Sequence, residues 1–118
     1  MKKALIVANL AGFIGTFLQN DIKILKSMGY EVHCAGNASN KNPEENENTF
    51  KRFGTVFHQI DVDGKSPLSR SNMRALKQLR RLMKTEKFEL VHCHTPIAGA
   101  IARVAVAPYR VWGVHGVE

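Results

Sequence analysis

Chemically capable side chains crowd into one short stretch, His92-Cys93-His94-Thr95, which ends the apolar run headed by Leu90 and Val91 and precedes Pro96. An apolar run this short, stopped by a Thr-Pro step, reads as a buried strand rather than a helix. Thr95 suits a helix N-cap, and Pro96 suits the first helical position, where its missing N–H costs nothing. The small-residue segment 97–103 then supplies the helix. The stretch thus writes strand, tight turn, helix, with histidines and a helix N-terminus at the strand's carboxyl end. In open α/β sheets ligands bind at that end. Side chains two apart on a strand share a face, so His92 and His94 can point together. A metal centre needs three or four ligands. No Asp, Glu, His or Cys is spaced nearby to complete one, so no metal is expected. His94, beside free helix N–H groups, suits contact with an anion or a hydroxyl-bearing ligand. His33 and His58 fall inside other strands and read as structural.

A second loop belongs with the first. The strand Lys3–Ala8 runs into Asn9-Leu10-Ala11-Gly12-Phe13. A dinucleotide site would place G-x-G-x-x-G there and an acid after the second strand. This chain offers only Gly12 and Gly15, and its second strand ends Ala35-Gly36-Asn37. A P-loop Lys-Ser signature is also missing, so NAD and simple nucleoside triphosphates are disfavoured. The glycines stand either as turn residues or as points where a ligand nears the backbone.

The elements that must position these loops alternate along the chain. Apolar residues at Ile14, Phe17, Leu18, Ile22, Leu25 and Met28 form one helical stripe, ended by Gly29 as a left-handed C′ residue. Tyr30–Gly36 is the second strand, with Tyr30, Val32 and Cys34 on one face and Glu31 and His33 on the other. The polar segment 37–48 is a surface loop, with 44–53 able to close it as a short helix. Val56–Val62 is the third strand. Asp63–Pro67 is a turn, and Ser69 or Ser71 caps a helix over Arg70–Lys84. The Phe88 strand follows, and Tyr109–Val114 is a fifth. Such alternation implies right-handed crossovers and a Rossmann-like α/β fold, a parallel sheet with helices on both faces. The expected strand order is 3-2-1-4-5, with a crevice between strands one and four. Cys34 and Cys93 then lie about 9.6 Å apart, beyond the ~7 Å reach of a disulfide.

Composition sets the outer bounds. The 118 residues, 44% hydrophobic, suffice for one domain. No apolar run approaches the ~20 residues of a membrane-spanning helix. A chain with only two cysteines points to a reducing cytosol rather than a disulfide scaffold. The 17 basic against 10 acidic residues, a net charge of +7, call for an anionic partner. The helix Arg70–Lys84 concentrates that charge. On a helical wheel Arg70, Arg74, Lys77, Arg80, Arg81 and Lys84 share an arc of about 120°, with Met73, Leu76, Leu79, Leu82 and Met83 assigned to the other side. Glu86, beyond the helix, is the only acid nearby. A polar face of one sign repels itself at i,i+4 but suits an anionic membrane surface, at about 1 kcal/mol per basic residue. Nucleic acid is not expected, because no exposed aromatics are interleaved to stack on bases.

The segments Lys3–Asn37 and Ile60–Arg103 resemble the amino-terminal half of family-four glycosyltransferases, in particular the branch that makes bacterial capsular and exopolysaccharides. The likeness covers roughly residues 2–103. It is carried by G-Y-E-V-H at Gly29–His33, S-P-L-S-x-x-N at Ser66–Asn72 and L-V-H-C-H-T-P at Leu90–Pro96. It implies the amino-terminal, acceptor-side domain of a two-domain GT-B enzyme that transfers sugar with retention. In that pattern Gly12 and Phe13 lie in the first cleft loop, and His94 and Thr95 at the fourth strand's end. His115-Gly116 takes the position of the family's next motif, though Val114 and Val117 differ from its neighbours.

The resemblance further implies a nucleotide-sugar, a UDP-sugar, as donor of the full-length enzyme. A carboxyl-terminal domain absent here would bind it, and no cofactor is expected in this chain. The expected partners are a lipid-linked saccharide acceptor and an anionic membrane. The expected location is cytoplasmic, peripheral at the membrane's inner face. Residues 1–118 read as a single, incomplete Rossmann-like domain, inactive alone and open to self-association through an uncovered sheet edge. The other readings are a non-catalytic flavodoxin-like binding or membrane-docking module, and half of a GT-B nucleotide-sugar epimerase.

Overall fold

Every residue from Ala4 to Ala8 is buried, which only the middle of a sheet covered on both faces allows. The structure, a computed structural model, describes residues 2–10, 19–38, 50–52, 54–62, 69–93, 101, 104 and 113–116. Strands β1 (Lys2–Leu10), β2 (Tyr30–Asn37), β3 (Val56–Gln59), β4 (Leu90–Cys93) and β5 (Gly113–Gly116) form one sheet in the order β3-β2-β1-β4-β5. Every pairing is parallel. The expected order and crossover pattern are therefore the observed ones.

Period-two alternation divides the core into two halves. Leu5 and Val7 of β1, Ala35 of β2 and Val91 and Cys93 of β4 pack on one face. They meet Ala75, Leu79 and Met83 of the helix α2 (Arg70–Glu86) and Ile101. Ala4, Ile6 and Ala8, with Val32 and Cys34, pack on the other face against Ile22 and Leu25 of α1 (Gln19–Ser27) and against Phe50. Phe50 and Phe57 lie nearly parallel, ring centroids 4.9 Å apart. Cys34 and Cys93 thus sit on opposite faces, both buried and not joined in a disulfide.

The helix ends follow from local chemistry. The Ser69 hydroxyl accepts the Asn72 N–H at 3.1 Å, so Ser69 rather than Ser71 is the N-cap of α2. The helix runs through Glu86, past the expected Lys84, and stops where Lys87 adopts a left-handed φ of 54°. Its N–H returns to the Met83 carbonyl at 3.3 Å. Gly29, φ 91°, takes the left-handed position just after α1.

Some expected boundaries shift. In the stripe of α1, Ile22 and Leu25 face inward, but Met28 lies past the helix end and is 62% exposed. Met73 does not join the apolar side of α2. At 43% exposure it lies among the basic residues, because 300° from Arg70 falls inside their arc. Strand β3 ends at Gln59, although the Ile60 N–H still bonds the Gly36 carbonyl at 3.0 Å and Ile60 and Val62 remain core residues. Phe88 precedes β4 and plugs the core rather than pairing. β5 continues to Gly116, beyond the expected Val114. A short helical piece at 50–52 falls within the expected 44–53.

The core makes a direct test. Leu79→Ala should cost about 2–5 kcal/mol by leaving a cavity between α2 and the sheet. Ser69→Ala should cost about 1 kcal/mol through the lost cap. Met73→Ala should stay within about 0.5 kcal/mol. Urea unfolding followed by circular dichroism measures all three.

Candidate functional site

Because all the strands are parallel, the carboxyl ends of β1, β4 and β5 share one edge of the sheet. β1 is described to Leu10 and β4 to Cys93, with Val7 level with Cys93. The cleft residues read from sequence, Gly12, Phe13, His94 and Thr95, follow directly in the chain and lie outside the described residues. His115 is placed in β5, in register with His92 of β4, so the tail does form a strand beside the central histidine stretch. β1 separates β2 from β4 and marks the switch point between leftward and rightward connections, the place where α/β sheets open a crevice. Among the described residues no group of His, Cys, Asp and Glu is arranged to hold a metal.

His92 faces α1 rather than standing with an open ligand. Its Nε2 lies 3.8 Å from an Asp21 carboxylate oxygen, beyond hydrogen-bond distance. Together with Ile24, Leu25 and Leu90 they line a concavity of about 180 Å³.

The basic face of α2 is real and exposed: Arg70, Arg74, Lys77, Arg80, Arg81 and Lys84 all point outward. Two acids modify the expected picture. Arg74 donates from Nε to Asp61 at 3.4 Å, with Asp61 also held by the Gln78 amide at 3.2 Å. Glu86 lies inside the last turn of α2, not beyond it, and turns to the Lys3 ammonium at 2.8 Å. Neither acid stands on the outward arc.

A third cluster sits at the opposite, amino-terminal end of the strands. Lys3 of β1 approaches Glu86 at 2.8 Å and Glu31 of β2 at 3.9 Å. Hydrogen bonding to Glu86 raises the Lys3 pKa, and the same contact lowers that of Glu86. The Glu31 carboxylate accepts from His33 Nε2 at 2.9 Å, which holds its pKa below the usual range. His33, only 3% exposed, places Nδ1 2.8 Å from Nε2 of His58. Burial lowers the His58 pKa, with the neighbouring His33 acting in the same direction. The edge of Phe88 closes the pair, its ring centroid 5.1 Å from that of His33. On sequence both histidines read as structural, and no local pattern brings them together. The available signal was register: His33 and His58 fall on the same face of adjacent parallel strands, with Ala35 level with His58.

The fold defines a class: a Rossmann-like α/β domain with a parallel sheet whose strand order reverses at β1. The chain belongs to the glycosyl transferase 4-like family, whose profile matches residues 4–117. It is 32% identical over 112 residues to a putative glycosyltransferase, EpsD, of Bacillus subtilis. That match covers 95% of this chain and 27% of EpsD, so the chain spans about a quarter of that relative's length. Among solved structures, Acinetobacter baumannii MurG superposes with a TM-score of 0.68 at 18% identity, over 98% of this chain and 34% of MurG. The Pseudomonas putida hydratase GalB superposes with a TM-score of 0.70 at 17% identity, over 89% of this chain and 55% of GalB. At such identities both likenesses speak for the fold alone.

The thiols provide a check on the core beneath these groups. Burial pushes Cys34 up to about 12, against a smaller opposing hydrogen bond with Thr55. Cys93 is buried as well. Native protein at pH 8 should therefore take up no iodoacetamide on either cysteine, and both should react in urea, as read by intact mass.

Proposed function

We propose that this chain is the acceptor-side domain of a retaining glycosyltransferase of capsular or exopolysaccharide synthesis. The observation that carries the reading is the family match running through the crevice-forming strands β1 and β4. In it, Gly12, Phe13, His94, Thr95 and His115 border the acceptor, a lipid-linked saccharide. A second Rossmann-like domain, as the greater length of the EpsD relative accommodates, binds the UDP-sugar. Holding two substrates in one geometry is a large part of transfer catalysis, so the 118-residue chain by itself transfers no sugar.

Nuclear magnetic resonance titration of the labelled chain tests this. A decyl diphosphate-linked hexosamine should perturb Leu10 and Cys93 amides at the strand ends. His94→Ala should weaken its binding about two- to tenfold, the loss of one hydrogen bond. UDP-glucose alone should cause no saturable shift and no turnover. Turnover of the nucleotide-sugar by the chain, abolished in His94→Ala, would defeat the reading.

The basic face of α2 adds the location: a peripheral contact with anionic lipid at the inner face of the membrane. Among the described residues no helix is long and apolar enough to cross one. What supports docking is outward exposure of all six cations, with Met73 exposed among them. An apolar side chain amid cations can enter the headgroup boundary. In co-sedimentation at moderate salt, vesicles containing phosphatidylglycerol should retain the protein and neutral ones should not. Replacing Lys77, Arg80 and Arg81 with Gln should reduce retention by at least about tenfold, at ~1 kcal/mol per residue. Equal binding to neutral vesicles would exclude the electrostatic contact.

A further inference from the structure

The ring geometry at the amino-terminal end of the sheet admits only one hydrogen between two nitrogens. His33 and His58 are within 4° of coplanar, with centroids 5.1 Å apart. Their nearest nitrogens are 2.8 Å apart. Ring faces in van der Waals contact stay about 3.5 Å or more apart, so the rings lie side by side in an N–H···N hydrogen bond rather than face to face. Glu31 then fixes the direction. An ionised carboxylate only accepts, so His33 Nε2 carries a hydrogen. In neutral His33 the other nitrogen, Nδ1, is bare, and His58 Nε2 must donate to it. The assignment follows from the acceptor at the start of the chain of bonds.

This arrangement counts protons. With both rings neutral, two of the four ring nitrogens are protonated. A third proton can go to His58 Nδ1 without disturbing the bond between the rings. A fourth has only the shared contact left, where two N–H groups would face each other at 2.8 Å. The pair therefore carries one positive charge or none, never two. The groups around it are Lys3 on β1, Glu31 on β2, Glu86 and Arg81 on α2, and the uncharged Phe88. Two cations against two carboxylates leave these surroundings neutral, and a first charge on the pair is met by the Glu31 carboxylate bonded to His33. Nothing relieves the contact that a second charge creates.

We propose that Glu31, His33 and His58 form a one-charge proton lock that fastens edge strand β3 to β2 near neutral pH and releases it on acidification. His58 is the side chain that ties β3 to the polar cluster at the amino-terminal end of the sheet. The strand has four residues, it is an edge, and Val56 on it is 45% exposed. Its other ties lie away from the histidines: Phe57 stacks on Phe50, and the Gln59 side chain accepts the Ala38 N–H at 2.9 Å and donates to Asn37 at 3.0 Å. β3 is also one wall of a groove of about 500 Å³ whose other wall is α2, with His58, Gln59, Gln78, Arg81 and Glu86 along it. Releasing β3 reshapes this groove beside the basic face. The fold thus couples proton uptake at a buried site to the surface next to α2.

The sign is set by linkage. A histidine whose folded pKa is depressed binds its proton more weakly in the folded state than in the unfolded one. Its contribution is fully present above the unfolded value of ~6.5 and is lost as pH falls from there through the folded value. The direction for His58 is downward, so acid, not base, opens the lock.

Two measurements on the wild-type protein and one variant decide it. Imidazole nitrogen spectra at neutral pH should show His33 with Nε2 protonated and Nδ1 bare, and His58 with Nε2 protonated. Amide hydrogen exchange, corrected for its intrinsic pH dependence, should show protection of Ile60 falling below pH ~6.5, while Ile6 and Val7 in β1 stay protected. His58→Gln keeps a donor for His33 Nδ1 but cannot titrate, so its Ile60 protection should be flat over the same range. Two histidines titrating independently at their ordinary values would overturn the lock. So would Ile60 protection that falls equally in His58→Gln, or that falls together with Ile6 and Val7, which is global unfolding. Should His58→Gln not fold, the wild-type nitrogen spectra still decide the proton arrangement, and the Ile60 profile against Ile6 decides the local release.

Discussion

β1 has no wet face, and the rest of the domain follows from that. A strand buried from Ala4 to Ala8 must have neighbours on both edges and a layer of helix on each side. Right-handed crossovers leave little freedom in meeting both demands. The connections that lead leftward through β2 to β3 place α1 and the Phe50 turn on one face. The return from β3 to β4 carries α2 to the other, and Ile101 after β4 packs on that same face. The direction reverses at β1, so the crevice between β1 and β4 is a product of topology before any side chain lines it.

The two ends of the sheet then differ in chemistry. The carboxyl ends of β1 and β4 lead into sequence that contains Gly12, Gly15, His94 and Thr95, beyond the described residues. The amino-terminal end is tied by charge: Lys3, Glu31, Glu86 and the histidine pair join β1, β2, β3 and α2 through short polar contacts. These contacts are only partly buried, so their worth lies in geometry rather than in large Coulombic gain. The imidazole pair is the exception. His33 is enclosed, and an enclosed ring nitrogen without a partner is costly. That cost makes its hydrogen-bonding directions definite.

α2 shows how one helix serves both an interior and a surface. Ala75, Leu79 and Met83 repeat at four-residue spacing and face the sheet. The cations occupy the reverse arc, and the two acids that reach the helix are drawn off it, Asp61 by Arg74 and Gln78, Glu86 by Lys3. Lys77, Arg80, Arg81 and Lys84 are left as an outward field of one sign. Such a field costs some helix stability through repulsion at i,i+4, and it attracts anions at long range where salt is low.

Local order in the chain determined much of this. The double-faced apolar run at Ala4–Ala8, the Ser69 cap, Gly29 at a helix end and the alternation of strand and helix were enough for the parallel sheet and its strand order. These features are readable because each depends on neighbours within a few positions, where periodicity and capping act. The basic arc was legible for the same reason, and Met73 was misassigned only through its wheel angle. The tertiary structure decided what no local rule contains. Whether Glu86 belongs to the basic face depends on Lys3, 83 positions away in sequence. That His33 and His58 share a proton depends on the register of two strands joined by a long connection. Register is set by the summed burial of both strands against both helices. No single side chain carries that sum, so the sequence showed two structural histidines and only the folded sheet joined them.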